Sequence, residues 1–151
     1  RPVIGAAGAL CWLAQQPTQR DSWILTPHGG EAGRLLACDH QHVDNNRFES
    51  VQQLVARYGG VVLLKGVGSL IADKNCVNLC PYGNAGMATA GMGDTLAGIM
   101  AGLVAQFGLS LATASQAVVV HALAGDMAAE AGERGLIATD LLPHLRVLLN
   151  G

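Results

Sequence analysis

Hydrophobic positions in this chain fall into two alternating patterns. Short, continuously apolar runs at Val3-Ile4, Trp23-Ile24-Leu25 and Val61-Val62-Leu63-Leu64 read as strands, and the stretches 9–15, 31–37 and 44–58 between them carry helical spacing. Unbroken apolar strands are expected where helices cover both faces of a sheet, so the alternation predicts a three-layer α/β/α domain with a mainly parallel sheet. Residues 69–73 and 76–79 flank Lys74-Asn75 as a hairpin and are expected to form an antiparallel edge.

Beyond the hairpin the pattern turns helical. Leu96, Ile99, Met100, Leu103 and Val104 recur at helical spacing over 94–106. Ser110 is a candidate N-cap for a helix reaching about Glu130, and Thr139 for the last one. Ala114, Val118, Ala122 and Gly125 share one side of the longer helix, where small residues let another backbone approach.

Composition narrows the class. Of 151 residues, 50% are hydrophobic and 13% charged, with a net charge of −2, which predicts a well-packed core and no disorder. Without a basic cluster there is no electrostatic footprint for nucleic acid or an acidic membrane surface, and no apolar run is long enough to span a membrane. The expected partner is a small molecule. Cys11, Cys38, Cys76 and Cys80 lack zinc or redox spacing and are expected to be free thiols, which fits a reducing cytoplasm.

Three loops carry candidate chemistry. In Asn84–Gly98, Gly91 and Gly93 precede a helix, so free amides and the positive end of its dipole are placed to receive a phosphate. Asp94 would repel that anion unless a metal, a proton or a reacting hydroxyl lies between them, which marks it either as a general base or as a helix cap. His28, in Thr26-Pro27-His28-Gly29-Gly30-Glu31, follows a strand at the edge where open α/β sheets bind ligands, and reads as a substrate contact or a turn cap. Lys65-Gly66-Val67-Gly68-Ser69 also follows a strand, offering a cation and close backbone approach to a nucleotide, or else a plain turn. No metal-ligand set is apparent, and His121 in the alanine-rich helix reads as a satisfied packing residue.

Together, Thr26–Glu31, Leu64–Ser69, Gly86-Met87-Ala88-Thr89-Ala90-Gly91-Met92-Gly93-Asp94 and His121–Asp126 resemble the ADP- or ATP-dependent NAD(P)H-hydrate dehydratases of the ribokinase-like superfamily, from Pro2 to about Leu149. The resemblance implies a ribokinase-like fold and repair of hydrated nicotinamide cofactor, NAD(P)HX, by phosphorylation of its hydroxyl and elimination of phosphate. It implies that Lys65, Gly66, Val67, Gly68, Ser69, Gly91 and Gly93 bind the nucleotide, that His28 and Asp94 contact the substrate, that Asp94 is the catalytic base and that Mg²⁺ bridges the phosphates. ADP is the expected nucleotide. The alternatives are a vitamin-precursor or sugar kinase of the same superfamily, or a catalytically incomplete nucleotide-binding fragment.

Two departures stand out. Ala6-Ala7-Gly8-Ala9-Leu10-Cys11 replaces a segment that carries two acids and an amide in the family, and Gly29 replaces a proline. Family domains are about twice this length, so residues 1–151 are expected to be the C-terminal part of one, with fusion to an epimerase in the parent protein an open option and with an open sheet edge that favours a homo-oligomer.

Overall fold

The computed structural model describes residues 1–150. Its sheet holds β1 (Val3–Gly5), β2 (Trp23–Leu25), β3 (Val61–Leu64), β4 (Ser69–Ala72) and β5 (Val77–Cys80), side by side in that order. β1, β2 and β3 pair in parallel, and β4 is antiparallel to both β3 and β5, so β4 alone runs against the rest. The hairpin turns where Asp73 Oδ1 accepts from the backbone N–H groups of Asn75 and Cys76, 2.8 and 2.9 Å away.

Period-two alternation sorts the apolar strands into two cores. Trp23, Leu25, Val62, Leu64, Leu70 and Ala72 meet α1 (Gly8–Gln15), α2 (Gly29–Leu36), α3 (His40–Asn45) and α4 (Arg47–Tyr58) on one face. Ile24, Val61, Leu63, Ile71 and Cys80 meet α5 (Met92–Phe107) and α6 (Leu111–Ala129) on the other. The result is the three-layer α/β/α arrangement expected from the apolar runs. A smaller cluster of Met92, Ala124, Leu136 and Leu141 seats α7 (Leu142–Asn150) against α6.

Three local expectations need correction. The helix expected over 44–58 is two helices, because Asn46 leaves helical geometry at φ −131° and ψ 46° and ends α3 as α4 begins. Thr139 is not the final cap; Asp140 accepts from the Ile137 backbone N–H at 2.9 Å and closes a short 3₁₀ turn, Ala138–Leu141, ahead of α7. At Gly125 the neighbour is a side chain, since a Cβ there would overlap the Met87 thioether. Ser110 does cap α6, accepting from Thr113 N–H at 3.1 Å. No helix among the described residues is long and apolar enough to cross a membrane.

Candidate functional site

At the carboxyl ends of β1, β2 and β3 the parallel strands deliver their following loops to one edge. His28 is the N-cap of α2, with Nδ1 accepting from Gly30 N–H at 3.1 Å. Glu31 returns the bond, its Oε2 accepting from the His28 backbone N–H at 2.9 Å, so the two residues form a reciprocal capping box. Because Nδ1 accepts, the proton of the neutral imidazole is on Nε2, 3.6 Å from the same Glu31 oxygen. The imidazole therefore caps the helix while its side chain stays 55% exposed at the sheet edge. Glu31 is buried beneath it.

Lys65 ties this loop to the other two. Its backbone N–H donates to Pro27 O at 2.9 Å, and Nζ lies 3.9 Å from Glu31 Oε2. Nζ is also 3.6 Å from where a Cβ on Gly93 would stand. Behind Lys65 the backbone turns through Gly66 and Gly68, at φ +147° and +66°, a region that side chains disfavour. Ser69 Oγ donates to Gly66 O at 3.2 Å and closes the loop, leaving Val67 fully exposed at its tip.

The third loop starts α5. Gly91, at φ +86°, is the N-cap and supplies no side chain, and the first helical bond is Thr95 N–H to Gly91 O at 2.9 Å. The N–H groups of Met92, Gly93 and Asp94 are consequently free of partners among the described residues, which is the arrangement that attracts an anion. Gly93 differs from expectation: it lies within the helix at negative φ, so its missing side chain makes room beside the Lys65 ammonium and is not a conformational requirement. Asp94 sits in the first turn of α5, exposed and without a hydrogen bond or ion pair among the described residues, so it is not the cap.

Helix α6 supports this loop from below. Asp126 accepts from Gly83 N–H at 3.0 Å and from Asn84 Nδ2 at 2.9 Å, Gly125 receives Met87, and His121 lies against Met92. His121 is buried as expected, but Nε2 has no hydrogen-bond partner among the described residues, which corrects its reading as satisfied. Burial pulls its pKa down to about 4, while the Met92 backbone acts in the opposite direction.

Arg47 was not a sequence candidate, yet it donates to the carbonyls of Leu64, Lys65 and Gly68 at 3.2, 3.4 and 3.1 Å. The signal was an arginine at a helix start, where the macrodipole repels a cation, but it is visible only once α3 and α4 are separated. Ala7, in the segment that departs from the family, holds φ +45° and ψ −115° and leaves the start of α1 without a side-chain cap. Gly29 faces Asp44, whose Oδ1 would be 2.8 Å from an added Cβ.

No group of three His, Cys, Asp or Glu side chains suited to a metal occurs among the described residues. An open groove of about 680 Å³, lined in part by Gln52, Asp73, Lys74 and Ser110, lies at the opposite edge of the sheet and gathers none of the loops described above.

Residues 1–146 match the family described as NAD(P)H-hydrate dehydratase. The chain is 56% identical over 152 residues to a bifunctional NAD(P)H-hydrate repair enzyme of Coxiella burnetii, covering 99% of this chain and 31% of that protein. An ADP-dependent (S)-NAD(P)H-hydrate dehydratase of Neisseria meningitidis is 35% identical, with 99% of this chain and 54% of that protein covered. Among solved structures, the ADP/ATP-dependent NAD(P)H-hydrate dehydratase of Bacillus subtilis, co-crystallised with ATP and Mg²⁺ and soaked with CoA, superposes with a TM-score of 0.87 at 28% identity, over 99% of this chain and 56% of that one. The chain thus spans from 31% to 56% of the length of these proteins.

Proposed function

The chain belongs to the NAD(P)H-hydrate dehydratase family, and we propose that it carries the nucleotide and phosphoryl-transfer half of such an enzyme, returning NAD(P)HX to NAD(P)H with ADP as phosphoryl donor. The observation that carries the reading is the meeting of Lys65, Glu31 and Gly93 at one sheet edge, beside the first amides of α5 and the carboxylate of Asp94, none of which has a partner among the described residues.

In this reading the Lys65–Ser69 loop receives the adenine nucleotide, and the amides of Met92, Gly93 and Asp94 hold its terminal phosphoryl group with Lys65 alongside. Gly91 contributes the backbone turn that frees those amides. His28 presents Nε2–H to the hydrated nicotinamide. Asp94 accepts the proton of the hydrate's hydroxyl as that oxygen bonds to phosphorus and the bond from phosphorus to the nucleotide breaks. The ring carbon–oxygen bond then breaks, its electron pair leaving with the phosphate, while the adjacent carbon gives up a proton to solvent and the ring double bond is restored.

Mg²⁺ would be held here mainly through the nucleotide's phosphates and water, which leaves the Asp94 carboxylate free to take the proton. The ion would neutralise the repulsion between Asp94 and the phosphates. The Neisseria relative's ADP dependence supports ADP, and the bifunctional Coxiella relative supports a parent protein with an added epimerase part.

The test is to mix the chain with hydrated NADH, Mg²⁺ and either ADP or ATP, following both nicotinamide absorbance and free phosphate. Recovery of absorbance with stoichiometric phosphate supports the dehydratase. A stable phosphorylated product would instead support the kinase alternative.

A further inference from the structure

Arg47 occupies a place that its charge does not favour. It is the first residue of α4, where the helix dipole repels a cation, and among the described residues no carboxylate comes within ion-pairing distance of it. Partial burial also lowers its pKa from the ordinary value, an effect that nearby Asp44 opposes. What holds it is a set of carbonyl oxygens: Nη2 donates to Leu64 O and Gly68 O, and Nη1 to Lys65 O. Gly66 makes the approach possible, since a Cβ there would stand 2.6 Å from Nη1.

These bonds fix which way the loop's peptides face. In a trans peptide the C=O and the following N–H point in opposite directions. With Leu64 O turned to Arg47, Lys65 N–H turns the other way and reaches Pro27 O at 2.9 Å. With Lys65 O turned to Arg47, the Gly66 N–H faces away from the guanidinium, and it has no partner among the described residues. A single planar donor thereby withdraws the negative ends of several peptide dipoles from the outer surface of the loop and leaves an N–H and a positive field behind it.

We propose that Arg47 is a positioning residue of the nucleotide site, setting the Lys65–Ser69 loop with its N–H surface toward the ADP phosphates. This rests on the proposed function of that loop. Lysine keeps the charge but lacks the planar fork that serves these carbonyls at once, so Arg47→Lys separates geometry from charge.

The experiment measures ADP binding by calorimetry for the wild-type chain, Arg47→Lys and Arg47→Met, with thermal unfolding of each. Wild type is expected to bind, and both variants to bind roughly tenfold or more weakly, with Arg47→Lys unfolding close to wild type. In the dehydratase assay the KM for ADP should rise in both variants while kcat changes little. Should Arg47→Met fail to fold, Arg47→Lys and Gly66→Ala carry the test. Wild-type affinity in folded Arg47→Lys would overturn the proposal while leaving the loop's function intact. Absence of ADP binding by the wild type would overturn the loop's function, and this inference with it.

Discussion

Lys65 Nζ stands 3.9 Å from Glu31 Oε2, joining the loop after β3 to the loop after β2. The same ammonium lies beside Gly93 in the loop that starts α5. One side chain therefore connects elements that are distant in sequence, and it is the only lysine or arginine with an ion-pair contact to a carboxylate among the described residues. Its role in the proposed site is to supply charge to the phosphates, while its structural contribution is small.

Replacing Lys65 with methionine separates these two roles. The pair is long and Glu31 keeps its bond from the His28 backbone N–H, so urea unfolding should change by only about 1–2 kcal/mol even though Glu31 is buried. ADP affinity should fall roughly tenfold or more, because a charge-assisted contact to phosphate is lost. Calorimetry beside urea titration reads both; a large stability loss with unchanged affinity would assign Lys65 to the scaffold.

His121 predicts an acid-side stability loss. Its folded pKa, near 4, lies below the unfolded value of about 6.5, so the unfolded chain binds the extra proton between these values. The contribution is intact above about pH 6.5 and is lost as pH falls toward 4, amounting to about 3 kcal/mol. In His121→Leu this part of the pH dependence should vanish from urea midpoints measured over the same range. A parallel profile in the variant would locate the acid sensitivity elsewhere.

Gly29 should accept the proline that the family resemblance leads one to expect. It is the first residue of α2, where proline fits, and His28 before it is already extended at φ −84° and ψ 172°. Asp44 Oδ1 occupies the space, but it is the exposed end of a movable side chain. Gly29→Pro is expected to stabilise the chain by about 0.4–1 kcal/mol through the unfolded state. A lower unfolding midpoint would mean that Asp44 cannot move aside.

The strands and their loops were legible because their signals are local. Unbroken apolar runs gave β1, β2 and β3, the turn at Lys74-Asn75 gave the hairpin, and glycines after strands pointed to the loops of the candidate site. Alternatives left open for His28 and Asp94 separate in the structure: His28 does cap α2, whereas the cap position of α5 belongs to Gly91 and leaves Asp94 unengaged. What sequence could not show depends on distant partners. Arg47 acts on carbonyls 17 to 21 residues away, and Asp126 holds Gly83 and Asn84 from more than 40 residues away. That His121 Nε2 has no partner among the described residues is likewise a property of packing, invisible to a helical pattern that places it correctly on the buried side.

The most direct measurement is Asp94→Asn, read for ADP binding and for NADH recovery on the same preparation beside wild type. Asp94 is exposed and makes no hydrogen bond among the described residues, so the substitution should leave fold and ADP affinity within a few-fold of wild type. NADH recovery, present in wild type, should fall by roughly 10² to 10⁴ when the base is lost. Recovery by Asp94→Asn at the wild-type rate would contradict the account, leaving the glycine loop as an anion cradle with no catalytic carboxylate beside it.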